Sequence, residues 1–146
     1  MKTLIKVTSS GLGTNLILND TVRPELDYDF RTSNGREFYE LTDVLCTGAC
    51  ICVAYTRHVP KTVNELNVFY TEDNDIAVFY TVWSYTKGSG REIVFKVVEH
   101  IKQTKPHIKR FVTLSPKTEM ARKFHLSNGA TVLSENEESV NYEYHV

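Results

Sequence analysis

Ile76-Ala77-Val78-Phe79-Tyr80-Thr81-Val82-Trp83-Ser84-Tyr85 runs straight into Thr86-Lys87-Gly88-Ser89-Gly90-Arg91, and this join decides how the chain is read. The first part is a long β-branched and aromatic run, the strongest strand signal in the chain. Past the glycines the hydrophobic period changes from two to 3.6. At about 100° per residue, Ile93, Val94, Val97, Val98 and Ile101 fall within an arc of roughly 140°, with Lys96, Glu99 and His100 outside it. The spacing predicts an amphipathic helix that stops before Pro106. Strand, glycine turn and helix N-terminus together make an anion site, because the first amides of a helix have no internal acceptor and carry the positive end of its dipole. Lys87 and Arg91 add charge there. The plainer reading is a flexible turn, and the residues fit neither the G-x-G-x-x-G nor the P-loop pattern.

Downstream, residues 108–114 read as a strand and 117–126 as a second helix, with Asn128-Gly129 as its stop. Residues 131–133 and 140–144 read as two final strands. Upstream, 36–42 and 49–56 form an antiparallel pair, and 63–69 a short helix. Leu4, Ile5 and Val7 suggest a first strand ending at Ser9-Ser10-Gly11. Residues 11–35 are the least legible, with Leu26, Tyr28 and Phe30 alternating like a strand. The expected architecture is a single α/β domain, 1–146, in which helices pack on a mixed sheet.

Composition narrows the function. The chain has 146 residues, 41% hydrophobic and 24% charged, with a formal net charge of −1. This is a globular composition without the basic excess that nucleic acid or an anionic membrane would require. No apolar run approaches the roughly 20 residues of a membrane span, and no signal-peptide core is present, so the expected location is the cytosol. Cys46, Cys50 and Cys52 then read as free, buried thiols rather than as a metal cluster with His58.

The strand, the basic-Gly-x-Gly turn, the helix, the next strand and the helix Met120-Ala121-Arg122-Lys123-Phe124-His125-Leu126-Ser127-Asn128-Gly129-Ala130 resemble the core of the GNAT N-acyltransferase superfamily. The family's phosphate loop begins with Gln or Arg, has Gly fourth and Gly or Ala sixth. Lys87, Gly90 and Glu92 fall at those positions, so Glu92 departs by placing a carboxylate near a diphosphate. His125 falls where the family places a tyrosine that protonates the departing thiolate, and Ala130 replaces the usual Phe. A second resemblance covers 77–126, where Pro106-His107-Ile108 and Thr113-Leu114-Ser115-Pro116 are similar to the GNAT-type domain of malonyl-CoA decarboxylase. The stretch from Val53 to Leu66 resembles small GNAT-like proteins of bacteriophages.

The resemblance implies a central, mostly antiparallel sheet with helices on both faces. It implies acetyl-CoA or another acyl-CoA held by main chain near Val82, Trp83 and Ser84 and by the turn Lys87, Gly88, Ser89, Gly90, Arg91 and Glu92. A backbone amide would polarise the thioester, an amine of a small molecule or protein would attack directly, and His125, with a pKa near neutrality, would act as the acid. Read as a bare helix position, His125 is a solvated histidine. Two further functions stay open: an inactive GNAT-like interaction or virion-associated protein, which Glu92 and Ala130 favour, and a CoA-thioester decarboxylase. Ser115 is expected to cap the helix 117–126, Glu65 and the Glu72-Asp73-Asn74-Asp75 turn to be solvated, and residues 140–146 to offer a homodimer edge.

Overall fold

The run Ala49-Cys50-Ile51-Cys52-Val53-Ala54-Tyr55 is apolar throughout, and it is buried throughout. It lies in the middle of the sheet in the computed structural model, which describes residues 2–146. The strands are β1 (Thr3–Lys6), β2 (Glu37–Thr42), β3 (Thr47–Thr56), β4 (Ile76–Ser84), β5 (Arg110–Thr113), β6 (Ser115–Pro116), β7 (Thr131–Glu135) and β8 (Ser139–Tyr144). They run β1-β2-β3-β4-β5-β8-β6, with β7 on β8. The pairs are antiparallel except β4–β5, whose parallel register matches Ile76 with Arg110 and Phe79 with Thr113. A parallel pair needs a crossover, and the helix predicted from the 3.6 period supplies it.

The helices are α1 (Ser10–Ile17), α2 (Tyr28–Thr32), α3 (Val63–Val68), α4 (Ser89–Thr104) and α5 (Glu119–Ser127). Alternation along β3 sends Ile51 and Val53 to the α4 face, where they join Ile93, Val97 and Ile101, with Phe124 of α5 packed against that cluster. Cys50 and Cys52 point the other way, into a second core with Leu16 of α1, Leu66 of α3 and Trp83. Among the described residues, no helix is long and apolar enough to cross a membrane.

Two expectations change. Residues 11–35 hold two helices and no strand. Ser9 and Asp27 stand at the N-caps, and the Asp27 carboxylate accepts the Phe30 amide at 2.8 Å, so the alternation of Leu26, Tyr28 and Phe30 is overridden by a cap. Gly13 permits the crossing, since a Cβ there would lie 2.2 Å from the Tyr28 ring. The cap of α5 is Thr118, whose hydroxyl accepts the Ala121 amide at 3.2 Å, while Ser115 sits in β6 opposite Val140. β8 lies inside the sheet, between β5 and β6 on one side and β7 on the other.

The segment joining α1 to α2 is held by a buried ion pair. Arg31 and Asp20, both with side chains 0% exposed, meet at 2.8 Å. Arg31 also donates to the carbonyls of Leu26 (2.9 Å) and Arg23 (2.7 Å). Asp20 accepts the amides of Val22 and Arg23 and, at 2.9–3.0 Å, the Thr81 hydroxyl of β4. The loop is thereby fastened to the central strand. Replacing Arg31 by Met strands a buried carboxylate, and urea unfolding should show a loss of about 3–5 kcal/mol. The double variant Asp20→Asn, Arg31→Met should recover part of that loss.

Candidate functional site

β4 cannot pair on both sides for its whole length. Opposite β3, Phe79 faces Val53 and Thr81 faces Cys52, which leaves Tyr80 as an extra residue in a bulge. A bulge bends its strand and re-aims the residues beyond it. On the β5 side the register ends at Phe79 and Thr113, with a last bond from the Leu114 amide to the Phe79 carbonyl at 3.0 Å. Past that point Thr81 to Ser84 pair with β3 on one side and, among the described residues, with no strand on the other. Between the diverging strands lies a cleft of about 470 Å³.

Arg23 spans the divergence. Its Nε donates to the Tyr80 carbonyl and its Nη2 to the Leu114 carbonyl, both at 3.0 Å. These carbonyls sit where the parallel ladder gives out, so the guanidinium satisfies acceptors that would otherwise face each other unpaired. Sequence reasoning missed Arg23 because it lies in the segment without periodicity, and no local pattern marks a bulge at Tyr80.

At the far end of the cleft the glycine turn opens α4. Gly88 is its N-cap, at φ +83°, with no side chain capping the helix. The Ser89 amide bonds the Thr86 carbonyl and the Glu92 amide bonds Gly88, whereas the amides of Gly90 and Arg91 have no acceptor among the described residues. A Cβ on Gly90 would stand 3.0 Å from the Phe124 ring, so glycine here permits the approach of α5. Lys87 and Gly88 are exposed at the turn, while Ser89 is fully buried beside Thr86. Arg91 is partly committed, donating to Asn128 Oδ1 at 3.2 Å and lying 5.0 Å from the Phe95 ring centroid. Glu92 is half-buried in the first turn of α4.

Of the residues singled out in the sequence, Val82, Trp83, Ser84, Gly90 and His125 line the cleft together. Lys87, Gly88, Ser89, Arg91 and Glu92 form the adjoining turn and do not line it. Ser115 also lines it, buried, with its hydroxyl donating to Thr113 Oγ1 at 2.9 Å. Cys50 and Cys52 are buried and Cys46 is exposed.

His125 is not a solvated histidine. It is 6% exposed, stacks on Tyr142 with ring centroids 5.1 Å apart, and its Nδ1 lies 2.7 Å from the Tyr144 hydroxyl. Burial pushes its pKa down to about 4, which overturns the expectation of titration near neutrality. Burial likewise pushes Tyr144 up to about 12, so that phenol keeps its proton.

No family model and no curated protein matches the chain. Solved structures do. An acetyltransferase of Bacillus subtilis, in complex with CoA, superposes with a TM-score of 0.70 at 9% identity, covering 100% of this chain and 99% of that one. The loading GNATL domain of CurA from Lyngbya majuscula gives 0.70 at 14%, covering 99% and 97%. Malonyl-CoA decarboxylase from Agrobacterium vitis gives 0.68 at 23%, with 84% of this chain on 35% of that one. The chain thus spans about a third of that decarboxylase, and 56–60% of two others. The fold is that of the GNAT acyl-CoA N-acyltransferases.

The buried imidazole has a consequence for stability. As pH falls below about 6.5 the unfolded chain binds a proton on His125 that the folded chain refuses until about 4, so stability drops across that window. Between pH 7.5 and 4.5 the wild-type protein should lose about 2–3 kcal/mol more than His125→Gln. Urea unfolding at the two pH values measures this, and equal losses would contradict a buried neutral histidine.

Proposed function

We propose that the chain is an acyl-CoA-dependent N-acyltransferase that transfers an acyl group, acetyl in the simplest case, to an amine. The observation that carries this reading is the continuity of the unpaired β4 edge with the open N-terminus of α4. Peptide-like amides of a pantetheine arm need strand-like partners, and the main chain from Thr81 to Ser84 has one side free for them. A diphosphate needs unpaired donors and positive charge. The amides of Gly90 and Arg91, with Lys87 beside them, provide both at the end of the same cleft. These residues fit the group.

An acyl-CoA supplies an activated carbonyl and a thiolate leaving group. The chain's own part is to hold the arm along β4, to direct a backbone amide at the carbonyl oxygen as charge develops there, and to offer the thiolate a hydrogen-bond donor. The amine nitrogen forms the new amide bond and sheds a proton to solvent, the C–S bond breaks, and the sulfur gains a proton. His125 lines the cleft but is almost wholly neutral at pH 7, so its contribution is that of a neutral N–H rather than an imidazolium.

A second reading, decarboxylation of a malonyl thioester, draws on Ser115. This residue lies in the cleft wall rather than at a helix cap, and the decarboxylase from Agrobacterium vitis is 23% identical over the shared region. The two readings separate by product: an acylated amine with free thiol, or carbon dioxide released from malonyl-CoA without any amine.

The test of ligand binding is a thermal shift with acetyl-CoA, malonyl-CoA and free CoA. At a hundredfold excess over Kd the stabilisation is about 2.7 kcal/mol, or roughly 5–10 °C for a domain of this size. Lys87→Glu, at an exposed position, should abolish most of the shift while leaving the unliganded melting temperature unchanged. Gly90→Val should abolish it too, with some loss of stability from the Phe124 contact. No shift in the folded wild-type protein would reject the acyl-CoA reading and favour an interaction protein.

A further inference from the structure

We infer that Tyr144 is a positioning residue: with Asn128 and Arg91 behind it, it fixes His125 as the tautomer protonated on Nε2, so that this nitrogen donates into the cleft. The tautomer stands on geometry alone, whereas its catalytic meaning rests on the acyl-transfer reading.

The chain of donors starts at Arg91. A guanidinium has only donors to offer, so the side of the Asn128 amide that meets Arg91 Nη1 at 3.2 Å is the oxygen. The Asn128 nitrogen is thereby turned inward. It is buried without a hydrogen-bond partner among the described residues, and it counters in part the rise that burial causes in the Tyr144 pKa. Tyr144 is 3% exposed, and among the described residues its hydroxyl has one hydrogen-bond partner, His125 Nδ1 at 2.7 Å. If Nδ1 carried the proton, the Tyr144 O–H would be buried with no acceptor at all. With the proton on Nε2, the phenol donates to the Nδ1 lone pair and every buried polar hydrogen of the pair is used.

Turning the ring over would set a carbon against the Tyr144 hydroxyl and forfeit that hydrogen bond, while packing fixes the plane of the ring. Tyr142 stacks on one side of His125 at 30° between planes, and Phe124 meets it edge-on with centroids 5.0 Å apart. Nε2 makes no hydrogen bond among the described residues, is not sealed from solvent, and belongs to a residue of the cleft wall. A neutral N–H on a residue of that wall suits a developing thiolate or a carbonyl oxygen. The arrangement gives Arg91 a second task besides any contact with phosphate, since it fixes which side of the Asn128 amide is the oxygen.

Long-range 1H–15N correlation spectra of the histidine rings at neutral pH read the tautomer directly. The inference predicts a pyrrole-like Nε2 and a pyridine-like Nδ1 for His125, and in Tyr144→Phe a shift toward a mixture of the two tautomers. A proton on Nδ1 in the wild-type protein, or an unchanged tautomer in Tyr144→Phe, overturns it. Should that variant fail to fold, Arg91→Met at an exposed position carries the same test. In the transfer assay Tyr144→Phe should lower kcat roughly tenfold or more with KM unchanged, and an unchanged kcat overturns the positioning role. If the wild-type protein has no transferase activity, the proposed function falls while the ring spectra still decide the tautomer.

Discussion

A strand can be paired on both sides only while its register agrees with both neighbours, and β4 loses that agreement at Tyr80. One extra residue opposite β3 turns the rest of the strand away from β5, and everything of functional interest depends on the space this opens. The cost is a set of backbone groups without a ladder. The protein meets it locally: Arg23 takes the carbonyls of Tyr80 and Leu114 at the fork, and the loop carrying Arg23 is itself fastened by Asp20 and Arg31 to Thr81. The side of Thr81 to Ser84 that faces away from β3 is left for something else. The divergence is therefore held by contacts within the fold itself.

The second half of the site uses a different shortage of partners. At the start of α4 the left-handed Gly88 ends the turn without a capping side chain, and the amides of Gly90 and Arg91 are left without an acceptor among the described residues. The same helix start reaches α5 through Gly90 against Phe124 and through Arg91 to Asn128. Glycine turn, cleft wall and His125 are thus parts of one packed unit. Glu92 sits within that unit as a half-buried carboxylate. It opposes an anion at the helix start, while the dipole and Lys87 favour one.

Legibility in the sequence tracks periodicity. The run from Ile76 to Ser84 and the stripe from Ile93 to Ile101 each bury a regular face, and both lie where their spacing places them. Residues 11–35 do not, because their helices are short and capped by Ser9 and Asp27, and a cap can override a three-residue alternation. Ser115 departs from expectation for a related reason: Thr118, a few residues on, does the capping, and the Ser-Pro pair continues the sheet instead. In the site, the main chain near Val82 and the glycine turn can be named from their order along the chain. Arg23 and the partnership of Tyr144 with His125 cannot, since both depend on contacts between segments far apart in sequence. The same holds for the acidity of His125. Nothing local to a helix residue reveals that Tyr142 and Tyr144 will bury it.

The central claim is that the open edge of β4 and the first amides of α4 receive one ligand together. Amide chemical-shift mapping of the 15N-labelled protein with acetyl-CoA tests it most directly. The account predicts that the large shifts fall on Thr81 to Ser84 and on Gly90 and Arg91, saturating with a single affinity. Shifts confined to another surface, or none at saturating ligand, would contradict it.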